Sequence, residues 1–175
     1  MPAIRNIFLI GPMGSGKTAV GRHLARLFRF TFLDSDADVE AKTGVDISFI
    51  FEKEGEAGFR IREREAIDRL TRLESIVLAT GGGAVIDPEN RRALAERGVV
   101  VYLQTSVDQQ IERTRHARHR PLLNDTDPEV KLKELMLRRA ALYAEIANVT
   151  VSTDGRRVQT VAEEILQELR RAYGA

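Results

Sequence analysis

Apolar residues recur along this chain in two rhythms, short continuous runs and helical stripes, and the two take turns. Ile4 to Ile10 is an apolar, β-branched run ending at a glycine, the pattern of a strand buried on both faces of a parallel sheet. From Lys17 onward Val20, Leu24, Leu27 and Phe28 return at helical spacing, and Thr31-Phe32-Leu33 reads as a second short strand stopping at Asp34. These segments predict one βαβ unit. Three helical stretches follow: Ser35 to Lys42 closed by Gly44, Asp46 to Lys53 closed by Gly55, and a charged stretch from Glu56 to Leu73. Ser35 and Asp46 are the expected N-caps, and the charges of the third stretch read as a solvated face.

Ile76-Val77-Leu78-Ala79 predicts a third strand, running into Gly81-Gly82-Gly83. Asp87-Pro88 then supplies an N-cap with proline at the first helical position, and Gly98 stands where that helix should stop. A fourth strand is expected at Val99 to Leu103, and Ser106 caps a helix reaching Arg115. His116 to Asp125 is basic and poorly periodic, the expected mobile loop. Asp127-Pro128 opens a helix carrying Leu132, Leu135, Met136, Arg139 and Tyr143; Val149 to Val151 is a last strand and Val158 to Tyr173 a closing helix. The alternation predicts a three-layer α/β/α sandwich on a central parallel sheet of about five strands. With 175 residues, 43% of them hydrophobic, the chain suits one such domain over residues 1–175.

Charge and composition narrow the function. Twenty-seven Lys and Arg against 26 Asp and Glu leave a formal charge of +1, so bulk electrostatics call for no nucleic acid and no membrane. The chain has no cysteine, which excludes disulfides, thiolate catalysis and sulfur-ligated zinc and is compatible with a reducing compartment. The opening apolar run is too short to span a bilayer and lacks a small-residue cleavage site, so the expected location is the cytoplasm.

Gly11-Pro12-Met13-Gly14-Ser15-Gly16-Lys17-Thr18 fits G-x-x-x-x-G-K-[ST] in full, between a predicted strand and a predicted helix. Glycines there let successive backbone N–H groups point into one concavity, and the helix N-terminus adds positive potential. Lys17 is expected to reach the β and γ phosphates and Thr18 Oγ1 to ligate magnesium. No Asn-Lys-x-Asp run is present to read guanine, so a phosphotransferase is expected rather than a switch GTPase. Asp34 and Asp36 leave the carboxyl end of a strand, where open parallel sheets bind ligands. One carboxylate can hold water on magnesium while the other takes hydrogen bonds from acceptor hydroxyls and serves as a base; the bland alternative is helix capping.

The P-loop, Asp34-Ser35-Asp36 leading to Glu40, Ile50-Phe51 through Gly55-Glu56 to Phe59-Arg60 and Glu63, Gly81-Gly82-Gly83-Ala84, Arg120-Pro121-Leu122-Leu123, and Arg138 to Tyr143 occur in that order across nearly the whole chain. Together they resemble shikimate kinase, a P-loop small-molecule kinase of the nucleoside monophosphate kinase-like fold. The resemblance implies transfer of the γ-phosphoryl of magnesium-ATP to the 3-hydroxyl of shikimate, on the route to aromatic amino acids, by a monomer with an acceptor-binding helical segment over 35–73 and a lid over 113–126. It further implies that Lys17, Asp36 and Arg120 are catalytic, with Asp36 on the shikimate hydroxyls. Arg60 and Arg139 would clamp the carboxylate, Gly82 would offer its N–H to the ring, Thr18 and, through water, Asp34 would serve magnesium, and Arg120 would close over phosphate. Gly14, Ser15, Gly16, Lys17, Thr18 and Ala19 would hold the ATP phosphates, with Arg113 and Arg156 toward the adenine. A planar guanidinium suits a carboxylate fork better than an ammonium does. Phe51 and Phe59 are candidates for the pocket wall, or core. The family's Asn-x-x-Pro-like turn beside the adenine has no counterpart here, since Thr153 to Val158 contains no proline. Arg113, Arg115, His116, Arg118, His119 and Arg120 carry no interleaved aromatic, which favours a lid over a nucleic-acid patch. The rival readings are a kinase of another small acceptor such as gluconate or a nucleoside monophosphate, and a non-catalytic nucleotide-binding regulator.

Overall fold

A computed structural model describes residues 4–115 and 127–174. Five strands, β1 (Asn6–Ile10), β2 (Thr31–Asp34), β3 (Ile76–Ala79), β4 (Val99–Gln104) and β5 (Val149–Ser152), form one sheet in the order β2-β3-β1-β4-β5, and every pairing is parallel. Seven α-helices connect and flank them: α1 (Lys17–Phe28), α2 (Ser35–Thr43), α3 (Ile47–Leu70), α4 (Pro88–Arg97), α5 (Val107–Thr114), α6 (Pro128–Ile146) and α7 (Val158–Tyr173). This is the expected α/β/α sandwich. No helix among the described residues is long and apolar enough to cross a membrane.

The strands read as unbroken apolar runs because both faces of the sheet are covered. In β1, Ile7 and Leu9 pack with Val20, Leu24, Ile165 and Leu169 of α1 and α7, whereas Phe8 and Ile10 turn the other way, toward Ile67, Leu94 and Tyr143 of α3, α4 and α6. All four are fully buried, each contributing about 1.5–3 kcal/mol of transfer free energy. A smaller cluster, Val39, Ile50, Phe59 and Ala66, ties α2 to α3 beside the sheet.

Three sequence expectations change. Ser35 is not the N-cap of α2: Asp34 is, its Oδ1 accepting from the amides of Asp36 and Ala37 at 2.9 and 3.2 Å, while Ser35 is buried and its hydroxyl accepts from Gly81 N–H at 3.3 Å. The stretches expected on either side of Gly55 run on as α3, but Gly55 has φ 71° and ψ −178°, so the axis breaks where the sequence predicts a stop. The third change concerns Glu63. Arg62, Arg64, Arg69 and Arg72 do lie on the solvated face of α3, but Glu63 is 1% exposed. Asp46, Asp87, Ser106 and Asp127 cap α3, α4, α5 and α6 as expected. Of the lid expected over 113–126, Arg113 and Thr114 belong to α5, and residues 116–126, Arg120 included, lie outside the described residues.

Candidate active site

The strand order concentrates chemistry at one edge, because β1 ends just before Gly11, β2 in Asp34 and β3 two residues before Gly81-Gly82-Gly83, and all three point the same way. Between β1 and α1 the chain reverses through Gly14 at φ 75° and Gly16 at φ 88°, left-handed conformations that favour glycine. No side chain caps the N-terminus of α1, so its first-turn amides face the concavity with the positive end of the helix dipole behind them. Lys17 Nζ spans that loop, donating to the carbonyls of Gly11 and Pro12 at 2.7 and 2.8 Å.

Across from the loop, Thr18 Oγ1 donates to Asp34 Oδ2 at 3.3 Å. Asp34 therefore combines the cap expected as the bland alternative with a second oxygen facing the P-loop hydroxyl. A hydroxyl and a carboxylate oxygen set side by side are the hard donors magnesium prefers. Asp36 does no capping: its Oδ1 is buried without a hydrogen-bond partner among the described residues. Burial, then the neighbouring charges of Glu63 and Asp34, push its carboxyl up to about 7 against the opposing pull of Lys17 and Arg60.

Two guanidinium groups complete the arrangement. Arg60, on α3, donates to Glu63 Oε1 at 2.8 Å and to Glu56 at 3.1 Å, and it lies 5.3 Å from the centroid of the Phe59 ring. Burial opposes the charge of Arg60, but the two carboxylates outweigh it and hold the group above its ordinary range. Burial raises the Glu63 carboxyl, with Arg60 and Arg139 pulling against it. Arg139, on α6, is 4% exposed. The glycine run is the floor on which these side chains meet. A Cβ on Gly81 would lie 2.8 Å from Glu63 Oε2 and 2.9 Å from Asp36 Oδ1, one on Gly82 would lie 3.6 Å from Arg139 Nη1, and one on Gly83 would lie 2.7 Å from Arg60 Nη1. Asp36 Oδ1, Arg60 Nε, Glu63 Oε2 and Arg139 Nε, two acceptors and two donors, are all buried without partners among the described residues. A packed core does not leave four such atoms around one floor, since each orphan costs about 1–3 kcal/mol. Phe59 belongs to the core cluster and touches the Phe51 ring at a centroid distance of 5.1 Å.

The comparisons with known proteins agree with this geometry. The family model described as shikimate kinase matches residues 13–170. The shikimate kinase of Halorhodospira halophila is 55% identical over 163 residues, covering 93% of this chain and 92% of its relative. The chain belongs to the shikimate kinase family. Among solved structures, shikimate kinase from Acinetobacter baumannii in complex with shikimate superposes with a TM-score of 0.96 at 48% identity, covering 98% of this chain and 96% of that one. A gluconokinase from Sinorhizobium meliloti shares the fold, with a TM-score of 0.63 at 21% identity over 97% of this chain and 93% of that one. Membership of the shikimate kinase family makes this chain an ATP-dependent phosphotransferase.

Within that family frame the described site residues sort into two groups. Thr18, Asp34, Asp36, Arg60, Gly82 and Arg139 converge with the P-loop on one edge of the sheet. Arg113 and Arg156 stand apart from the acceptor groups. Arg113 donates to Gly14 O at 3.0 Å and to Thr153 O at 2.7 Å, joining the phosphate loop to the segment after β5. Arg156 donates to Ser152 O at 2.9 Å and pairs with Glu164. Glu63 and Tyr143 receive no role from the sequence. Yet each carries a signal: Glu63 falls on the buried stripe Phe59, Ala66, Ile67, Leu70, and Tyr143 on the stripe Leu132, Leu135, Arg139, Ile146. A charge or phenol on such a stripe needs a buried partner.

Proposed function

We propose that this chain seats ATP on the loop from Gly11 to Thr18 and transfers its γ-phosphoryl group to the 3-hydroxyl of shikimate, giving shikimate 3-phosphate and ADP. The observation that carries the acceptor assignment is the set of four partnerless polar atoms around Gly81-Gly82-Gly83. Their chemistry is that of a ligand with one carboxylate and several hydroxyls. Arg60 and Arg139 bind the carboxylate, a planar charge-assisted match. The Gly82 N–H and Asp36 take the hydroxyls. The acceptor oxygen bonds to the γ-phosphorus as the bond from that phosphorus to the β,γ-bridging oxygen breaks, and ADP leaves. The proton from the hydroxyl passes to Asp36, whose affinity near neutrality suits a general base.

On the nucleotide side, the amides of Gly14, Ser15, Gly16, Lys17, Thr18 and Ala19 hold the phosphates. Lys17 exchanges its loop carbonyls for phosphate oxygens. Thr18 and, through water, Asp34 would hold magnesium, which supplies charge neutralisation at the phosphates when bound. Arg113 and Arg156 border the nucleoside, and Arg120 is assigned to the closing lid, outside the described residues. The reading takes the enzyme as a cytoplasmic monomer that uses ATP as co-substrate.

ADP release from magnesium-ATP, followed with shikimate, gluconate or AMP as acceptor, tests the proposal. Shikimate should stimulate release strongly and the other two should leave it near the acceptor-free rate. Greater stimulation by gluconate or AMP would transfer the site to that acceptor, and no stimulation by any of them would favour a regulator that only binds nucleotide.

A further inference from the structure

Among the described residues the glycine floor of the acceptor site is fastened at four points, two of them local and one on Ser35 at the start of α2. Gly81 N–H donates to Ser35 Oγ at 3.3 Å, Gly81 O accepts from Ala84 N at 3.1 Å and Gly83 O from Ile86 N at 3.1 Å. The fourth comes from 61 residues away in the chain. Tyr143, fully buried on α6, donates its hydroxyl to Gly82 O at 2.5 Å. Its ring stacks on Tyr102 of β4 with centroids 5.0 Å apart and planes 25° apart, so the phenol is held from behind by the sheet. Burial raises the Tyr143 pKa well above the ordinary phenol value, against the pull of Arg139, whose side chain bonds the same hydroxyl, and the donor proton stays in place across working pH.

What hangs from that bond is the peptide joining Gly82 to Gly83. A Cβ on Gly82 would lie 3.2 Å from Met13 N of the phosphate loop, and a Cβ on Gly83 would fall inside the Arg60 guanidinium, so this peptide is packed between the two substrate halves. A glycine peptide has the widest choice of orientations of any residue. Turning it would swing the Gly82 carbonyl and the Gly83 N–H, and with them the surface that Arg60 rests on. Tyr143 also shares α6 with Arg139, four residues earlier on the same buried stripe, so one helix carries both a guanidinium of the site and the clamp on its floor.

We propose that Tyr143 is a positioning residue for the acceptor: its hydroxyl, backed by the Tyr102 ring, fixes the Gly82–Gly83 peptide so that Arg60, packed against Gly83, meets the acceptor in one geometry. The inference rests on the shikimate reading and adds to it a residue that acts through the backbone of the glycine floor.

Tyr143→Phe keeps the ring and the stack and removes the hydroxyl alone. Shikimate KM, and shikimate Kd by calorimetry, should both rise about tenfold, the factor for one ordering hydrogen bond, while the ATP KM stays within about twofold of wild type. Unchanged shikimate KM and Kd would overturn the proposal, and so would equal rises in both substrate KM values, the mark of a general structural defect. Tyr102→Leu, which leaves the hydroxyl and removes its backing, serves as second variant if the first does not fold. It should raise the shikimate KM by a smaller factor with the ATP KM again unmoved, and no rise would count against the proposal. Wild-type enzyme assayed in parallel separates this test from that of the function, since absence of shikimate turnover there rejects the acceptor itself whatever the variants do.

Discussion

Asp36→Asn should lower turnover on the order of a thousandfold, leave ATP binding within about twofold of wild type, and make the ligand-free protein more stable. Loss of activity follows from removing a carboxylate that faces the glycine floor with its Oδ1 buried and partnerless among the described residues. The amide has nearly the same shape but cannot take a proton. The gain in stability follows from the surroundings, since burial, Glu63 and Asp34 all disfavour charge at this position. The sign is fixed by linkage. A carboxyl raised from its ordinary value to about 7 in the folded protein binds more protons folded than unfolded, so stability falls as pH rises through the window from about 4 to 7. Asparagine has no such loss. Its advantage should therefore be present at pH 8, amount to about 2 kcal/mol after allowing for the partial exposure of the side chain, and vanish at pH 4, where wild-type Asp36 is neutral. Thermal unfolding of both proteins at pH 4 and pH 8, with nucleotide titration at pH 8, measures all of this. Wild-type turnover by the variant would remove Asp36 from the chemistry, and a variant less stable at pH 8 would contradict the electrostatic account.

Gly83→Ala is expected to damage acceptor binding nearly as much without touching a charged group. The new methyl would sit 2.7 Å from both Cζ and Nη1 of Arg60, closer than a Cβ tolerates. Arg60 has a flexible side chain, but it cannot move without cost: its Nη1 donates to buried Glu63 at 2.8 Å, and swinging away would strand that carboxylate. Loss of one charge-assisted contact to the acceptor predicts a shikimate KM raised about ten- to a hundredfold, with ATP KM unchanged. Steady-state kinetics with each substrate varied in turn checks it. An unchanged shikimate KM would mean that the Arg60 guanidinium has room the structure does not give it.

Much of this site is legible in the amino-acid sequence, for reasons that differ from residue to residue. The phosphate loop is legible because one continuous segment carries the whole of its chemistry. Asp34 and Asp36 are legible as a pair, but Asp-Ser-Asp offers three successive capping residues, and only the backbone decides that Asp34 caps while Ser35 turns inward to Gly81. The strands announce themselves as apolar runs because both faces are covered. Their spatial order does not, since nothing in β3 says that it lies between β2 and β1. Arg60 and Arg139 rest on family resemblance rather than on spacing, yet Arg139 interrupts a buried apolar stripe just as Glu63 does. Such interruptions are the signal that a solvated-face reading of α3 passes over. The bond from Tyr143 to Gly82 has no sequence signal, because it joins positions 61 residues apart through a backbone carbonyl.

The claim on which the rest depends is that one carboxylate is gripped by two guanidinium groups, buried Arg139 and half-buried Arg60, beside a loop that seats phosphate. A crystal structure of the enzyme with ADP and shikimate tests it most directly. The account predicts the shikimate carboxylate within hydrogen-bond reach of both Arg60 and Arg139, with its 3-hydroxyl beside Asp36. A carboxylate bound out of reach of both arginines would contradict it.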